Sequence, residues 1–297
     1  EKLEKDWVKY PILHLDLNIE KYDTPDSLDN ILDKSLTAWE KLYGAEPSER
    51  SFSLRFAGII ERACKQAGQR VVILVDEYDK PMLQAIGNEE LQKEYRNTLK
   101  PFYGVLKTMD GCIKFAFLTG VTKFGKVSVF SDLNNLEDIS MRKDYVELCG
   151  VSDRELHDTL DAELHEFADV RGVTYDKLCA ELKECYDGYH FTHNSIGMYN
   201  PFSLLNAFKY KEFGSYWFET GTPTYLVSLL KKHHYDLERM AHEETDAQVL
   251  NSIDSESTNP IPVIYQSGYL TIKGYDEEFG IYRLGFPNRE VEEGFVR

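Results

Sequence analysis

Along the first half of the chain, short runs of apolar residues alternate with longer stretches in which apolar residues recur every three or four positions. The short runs occupy residues 12–15, 71–75 and 113–118. The longer stretches occupy residues 24–44, 52–68 and 89–109. Short apolar runs predict strands, and the wider spacing predicts helices with one buried face. Strands that alternate with helices indicate an α/β fold with a parallel sheet flanked by helices.

The run VVILV at residues 71–75 is the most distinctive of the predicted strands. Five consecutive apolar residues, most of them β-branched, predict a strand that is covered by helices on both faces. The segment YVELCG at residues 145–150 precedes the helix start SDREL, and we expect it to be a fourth core strand.

The pattern changes after about residue 150. Helical spacing runs through residues 155–170 and 175–186, and the segment YWFETGTPTYLVSLLKK predicts a further helix. A last helix is followed by two predicted strands around the acidic turn at residues 276–280. We therefore predict two domains, an α/β core over residues 1–150 and a mostly helical lid over residues 151–297 with a winged-helix-like hairpin at its end.

Composition narrows the classes of function. The chain has 51 acidic and 34 basic residues, a formal charge of −17, which disfavours broad contact with nucleic-acid phosphates or anionic lipid. The five cysteines include no C-x-x-C pair, which favours reduced thiols over a zinc site. No long apolar run and no signal peptide are present, so we expect a cytoplasmic protein without a membrane partner.

The strand at residues 71–75 ends on two acids, Asp76 and Glu77. Ligands of open parallel sheets bind beyond the carboxyl ends of the strands. There an aspartate can hold Mg²⁺, and a neighbouring glutamate can deprotonate the water that attacks a terminal phosphate. This is the Walker B pattern of P-loop ATPases. The alternative interpretation is that the two acids only begin a solvated loop after the strand.

The segment FLTGVTKFGKVS, residues 117–128, has the spacing of a phosphate loop without its chemistry. Val127 stands where a Mg²⁺-ligating Ser or Thr is needed, and no helix start follows. We interpret the segment instead as the end of a sensor strand, with Thr119 reading the γ-phosphate and Thr122 as a reserve. Lys123 and Lys126 add positive charge that can face phosphates, or they are solvated surface residues.

Six segments carry a resemblance to a known family. They are VVILVDEYDKP, FLTGVTKFGKVSVFSDLNNLEDIS, YVELCGVSDREL, CYDGYHF, YNPFSLLNAF and YWFETGTPTYLV. With these segments in this order, the chain resembles the bacterial AAA-ATPase-like family within the P-loop NTPase superfamily. The resemblance implies ATP and Mg²⁺ as ligands, Asp76 as the metal residue, Glu77 as the catalytic base and Thr119 as the sensor. It also implies a restriction-endonuclease-like domain elsewhere in many of these proteins.

One part of the family pattern is missing from the sequence. The resemblance implies a first strand and a Walker A loop ahead of residue 1, so we expect an incomplete P-loop NTPase-like sheet in a fragment that binds ATP weakly or not at all. The missing strand normally lies in the middle of the sheet beside the one that bears Thr119, so we expect a gap or an exposed strand edge there. An exposed edge favours association with another chain, so a homo-oligomer is possible. Arg142, ahead of the expected fourth strand, is a candidate charge-stabilising finger on a nucleotide.

Two other classes of function stay open at this stage. A nucleotide-independent module could contact a protein or DNA through the hairpin, although the acidic segments YDEEFG and REVEEGF disfavour DNA. A metal-dependent nuclease could use the acids and lysine of VDEYDK if they lay on a hairpin. We interpret YDGYHF as a packed corner, and its histidines as ordinary loop residues.

Overall fold

The computed structural model describes residues 7–123, 129–130, 133–220, 242–251 and 259–296. Within these residues the chain forms two compact units, of which the first ends at Leu136 and the second begins at Glu137. The change in sequence pattern lies farther along, at about residue 150.

The first unit is built on three parallel strands. These are β1 (Ile12–Asp16), β2 (Val71–Asp76) and β3 (Ile113–Leu118), in the order β1-β2-β3. Among the residues described for this unit, four helices accompany the strands: α1 (Pro25–Tyr43), α2 (Phe52–Ala67), α3 (Lys80–Gln84) and α4 (Glu89–Thr108). The predicted α/β class and all three of its first strands are confirmed.

The helix boundaries follow from local chemistry. The Ser51 hydroxyl accepts from the backbone N–H of Leu54 at the start of α2, and the Asn88 side chain accepts from Leu91 at the start of α4. Pro25 begins α1, where its missing N–H costs nothing. These side chains satisfy backbone donors that a helix start leaves unpaired.

The two faces of this sheet differ in burial. Side chains of registered partners in parallel strands share a face, so Leu13 and Ile73 lie on one face, and both are buried. Helix α2, which packs against α1 and α4, contacts β2. On the other face Ile12 is 55% exposed and Phe115 is 54% exposed. Strand β2 is therefore fully buried on one face only, and the expectation of burial on both faces is met in part.

The first part of the second unit is helical. It contains α5 (Asp153–Thr159), α6 (Asp161–Arg171), α7 (Tyr175–Tyr186) and α8 (Pro201–Tyr210). Two short antiparallel strands, β4 (Val151–Ser152) and β5 (Met198–Tyr199), join the start of α5 to the start of α8. The helices surround an apolar core that includes Leu156, Phe167, Leu182, Leu204 and Phe208.

The prediction of a fourth core strand at residues 145–150 is wrong. Residues Lys143–Tyr145 form a 3-10 turn, and Leu148 is 55% exposed. The apolar residues of the segment, which include Val146 and Leu148, could have been buried in a strand only against a neighbouring sheet face. The helix signal that follows it is real, because Ser152 and Glu155 form a reciprocal capping box at the start of α5.

A three-stranded antiparallel sheet lies in the last part of the second unit. It contains β6 (Glu244–Asp246), β7 (Thr271–Asp276) and β8 (Ile281–Gly285) in the order β6-β8-β7, with α9 (Ala247–Asn251), α10 (Ile261–Gln266) and α11 (Arg289–Val296) beside it in sequence. The hairpin predicted around residues 276–280 is confirmed, whereas β6 was not predicted. The winged-helix arrangement stays a prediction, and most of the helix expected in YWFETGTPTYLVSLLKK lies outside the described residues.

The segment YDGYHF forms a packed corner in this unit. Tyr186 and Asp187 are buried, and Gly188 has a φ of +100°. A Cβ on Gly188 would stand 2.2 Å from the carbonyl oxygen of Pro287, so only glycine fits this approach. Within the described parts of the chain, no helix has the length and apolarity that crossing a membrane requires.

Candidate functional site

The carboxyl ends of β2 and β3 bring three of the predicted site residues together. Asp76 is the last residue of β2, and Thr119 follows the end of β3. The Thr119 hydroxyl donates a hydrogen bond to Asp76 Oδ1 at 2.5 Å, and the Thr119 backbone N–H donates to the carbonyl oxygen of Val75 at 2.8 Å. Glu77 comes directly after Asp76. The two strand ends therefore form one continuous polar edge.

Glu77 has an unusual backbone conformation. Its φ is +56°, in the left-handed region that a residue with a side chain rarely occupies. This conformation turns the chain so that the Tyr78 N–H donates to the carbonyl oxygen of Thr119 at 2.9 Å. Such a conformation costs on the order of 1–2 kcal/mol and persists where surrounding contacts enforce it.

The Glu77 carboxylate is set up to accept a proton. Burial raises the pKa of this carboxyl above its ordinary value, and the neighbouring charges of Asp76 and Asp16 add to the increase. Lys80 opposes the shift. A carboxylate with a raised pKa is a stronger base than an ordinary surface glutamate.

Sequence reasoning did not identify Asp16 as part of this edge. Asp16 ends β1, and its register partner in β2 is Asp76. One Asp16 oxygen accepts from the N–H of Asn18 at 2.7 Å. The Lys80 ammonium donates to the carbonyl oxygen and the side-chain oxygen of Asn18, at 2.6 and 2.5 Å. The available signal was an aspartate that ends the apolar run of β1, just as Asp76 ends that of β2.

The two carboxylate oxygens of Asp76 differ in their hydrogen bonds. The hydrogen bonds from Thr119 and from the Glu77 N–H both go to Oδ1, so among the described residues none donates to Oδ2. The carboxylate is exposed. Across the described ranges, no three His, Cys, Asp or Glu side chains converge as a metal-ligand set. Mg²⁺ in nucleotide sites needs only one or two carboxylates, because phosphates and water complete its octahedron.

Asp79 is fully buried, and its carboxylate is hydrogen-bonded to the loop that follows β3. Its Oδ2 accepts from the N–H of Thr122 at 2.6 Å and from the Thr122 hydroxyl at 2.7 Å. Its Oδ1 accepts from the N–H of Val121 at 3.2 Å. Burial raises the pKa of the Asp79 carboxyl to about 6, against the opposing effect of the Thr122 hydrogen bonds. Sequence reasoning missed this role, since a loop aspartate gives no local sign of burial.

The remaining candidate residues occupy different positions. Thr122 is buried and holds Asp79, so a contact between its hydroxyl and a nucleotide would require that bond to break. Lys123 is half-buried. Lys126 lies outside the described residues. Arg142 belongs to the second unit, where it pairs with Glu137 and Asp144, and the core strand expected after it is not formed.

Comparison with known proteins supports a family for the first unit. Residues 1–130 match the AAA-ATPase-like family, described as predicted AAA-ATPase. This match covers less than half of the chain and lies within the first unit.

A curated relative matches nearly the whole length of the chain. The uncharacterized protein in the vnfD 5′ region of Azotobacter chroococcum mcd 1 is 36% identical over 291 residues, which is 97% of this chain and 54% of the relative. The chain thus spans about half the length of the relative it matches. No solved structure matches it.

Proposed function

We propose that the first unit, whose sequence matches the predicted AAA-ATPase family, supplies the metal- and water-handling part of an ATP-hydrolysing site. In this proposal Asp76 holds Mg²⁺, Glu77 is the general base and Thr119 senses the γ-phosphate. The observation that carries the proposal is the hydrogen bond between Thr119 and Asp76 across two neighbouring parallel strands, with Glu77 beside it. Ligands of such sheets bind at this edge.

Each side chain has a defined task. Asp76 Oδ2 would hold the metal, while Oδ1 accepts from the Glu77 N–H and, in the absence of a phosphate, from the Thr119 hydroxyl. The Glu77 carboxylate orients the attacking water and takes its proton, which its raised pKa favours. A Mg²⁺ ion held by Asp76 would supply positive charge against the negative charge that develops on the phosphate during hydrolysis. The Thr119 hydroxyl can donate a hydrogen bond either to Asp76 or to a phosphate oxygen. The acceptor of this hydrogen bond would therefore change when a phosphate binds.

The phosphate-gripping part of the site is not assigned to any described residue. Strand β3 pairs with β2 on one side, and no described strand pairs with its other edge. The sheet face around Phe115 is exposed as well. Parallel sheets are normally covered on both faces, and unpaired strand edges are normally protected. We propose that a strand from outside the described residues pairs with the free side of β3 and that a helix covers the exposed sheet face. The same segment would carry the loop that wraps the phosphates.

Two features disfavour the nuclease interpretation of VDEYDK. Strand β2 is the middle strand of a parallel sheet, where the nuclease interpretation requires a hairpin. The buried Asp79 carboxylate accepts from the N–H groups of Val121 and Thr122, so it does not form one acidic cluster with Asp76 and Glu77. Its carboxylate instead accepts hydrogen bonds from the loop after β3.

The direct test replaces Glu77 with glutamine in the complete protein. Glu77→Gln keeps the shape of the side chain but removes its basicity, so we expect ATP turnover to fall about a hundredfold or more while ATP binding persists. Turnover is measured by phosphate release, and binding by calorimetry. Glu94→Gln, at an exposed position of α4, is the matched control and should leave both unchanged. Normal turnover by Glu77→Gln would remove this residue from the proposed role.

A further inference from the structure

Two residues just past β2 grip the loop that follows β3. The Tyr78 N–H donates to the carbonyl oxygen of Thr119 at 2.9 Å, and the Tyr78 hydroxyl donates to the carbonyl oxygen of Thr122 at 2.7 Å. Asp79 accepts three hydrogen bonds from Val121 and Thr122, at 2.6 to 3.2 Å. We call these two residues and their five hydrogen bonds the 78–79 clamp. All five bonds end on the four residues after β3.

The clamp leaves no room for a side chain at Gly120. A Cβ there would lie 2.4 Å from Asp79 Oδ1 and 2.8 Å from the Tyr78 ring. The Tyr78 ring packs against the ring of Phe130, with 5.2 Å between the ring centroids. The loop backbone thus lies directly against both clamp residues, and a shift on one side has to move the other.

The clamp also connects two residues of the proposed site. Thr119 is the first residue of the gripped loop, and Glu77 directly precedes Tyr78. Glu77 has a left-handed φ of +56°, and the two residues that follow it are both hydrogen-bonded to the loop. The positions of the Thr119 hydroxyl and the Glu77 carboxylate therefore depend on the same five hydrogen bonds.

We propose that Asp79 is a positioning residue, whose buried carboxylate holds the loop after β3 and thereby sets where Thr119 and Glu77 meet a nucleotide. This inference rests on the proposed ATPase function for its catalytic consequence. Its structural part stands on the hydrogen bonds alone. Asp79 is too deeply buried to contact substrate itself, since its side chain has no exposed surface.

The first test needs no nucleotide. Asp79→Leu removes all three acceptors at similar volume, and Asp79→Asn retains one oxygen. We expect amide hydrogen exchange at Val121 and Thr122 to accelerate about tenfold to a hundredfold in Asp79→Leu and less in Asp79→Asn, because buried donors lose their acceptor. Asp29→Asn, at an exposed position of α1, is the matched control and should leave exchange unchanged. Unchanged exchange in both Asp79 variants would overturn the inference.

The second test measures turnover in the complete protein through a double-mutant cycle. We expect Asp79→Asn to lower kcat with little change in KM for ATP. If Asp79 acts through Thr119, the variant Asp79→Asn/Thr119→Val should be no slower than Thr119→Val alone. A merely structural role would instead lower the folded fraction and leave kcat per folded molecule unchanged.

The outcomes separate this inference from the proposed function. Turnover that depends on Glu77, combined with additive effects of the Asp79 and Thr119 variants, would refute the positioning role and leave the ATPase proposal standing. Turnover that does not depend on Glu77 would refute the ATPase proposal. The hydrogen-exchange result would then still decide whether Asp79 holds the loop.

Discussion

The titration of Asp79 is the sharpest physical prediction that the structure allows, because two large effects oppose each other there. Hydrogen bonds from the Val121 and Thr122 N–H groups and from the Thr122 hydroxyl favour the charged carboxylate. Two or three such donors by themselves hold the pKa of a carboxylate well below its ordinary value. Complete burial favours the neutral acid, and here burial is the larger effect, which raises the pKa from 3.8 to about 6.

The raised pKa makes the free energy of unfolding depend on pH with a definite sign. The folded protein holds the Asp79 proton more tightly than the unfolded chain, whose pKa is near 3.8. The stabilising contribution is therefore complete below pH 3.8 and is lost as the pH rises to about 6. A shift of about two units at roughly 1.4 kcal/mol per unit corresponds to about 3 kcal/mol over this window.

The assay compares the wild type with Asp79→Asn. Carboxyl carbon NMR follows the Asp79 titration directly, and urea unfolding at several pH values between 4 and 7 gives the free energy of the first unit. We expect the wild type to lose about 3 kcal/mol relative to Asp79→Asn between pH 4 and pH 7. An Asp79 pKa at or below its ordinary value, with parallel pH profiles for the two proteins, would show that the hydrogen bonds outweigh burial and would refute this reasoning.

Two further predictions concern stability. Gly120→Ala should destabilise the first unit by about 1–3 kcal/mol, because its Cβ would meet Asp79 at 2.4 Å, whereas Gly104→Ala inside α4 meets nothing within 4 Å and should stabilise by about 0.5–1 kcal/mol. Thermal unfolding of the two alanine variants checks this pair, and equal melting temperatures would contradict it. Ser152→Ala should cost about 1 kcal/mol by removing the capping box of α5, and denaturant unfolding that matches the wild type would show that this cap contributes nothing.

The sequence predicts those parts of the candidate site that depend only on the pattern of neighbouring residues. An apolar run that ends in Asp76 and Glu77 predicts a strand with acids at its carboxyl end, because backbone alternation and solvation act within a few residues. The same holds for β3 and Thr119. The structure brings Thr119 and Asp76 into hydrogen-bond contact, and their roles in catalysis stay predictions.

Other parts of the site depend on pairing between distant segments. Asp16 joins the acidic edge only because β1 and β2 pair in the register that places it beside Asp76. In the sequence Asp79 resembles any loop aspartate, because its burial depends on the distant segment at residues 120–122. The failed strand at residues 145–150 has the same origin, since its apolar side chains become core residues only if a sheet face is available to cover them.

The sequence by itself determined the helix ends, the three parallel strands and the acidic strand end, since each depends on contacts or periodicity within one segment. Tertiary structure alone decided which acids share an edge, which aspartate is buried, and that one face of the sheet is left partly exposed. Burial and register are properties of segments in contact, and the free energy of a buried carboxylate depends on donors that are far away in the chain. The position of Asp79 on the amides of Val121 and Thr122 is the clearest case.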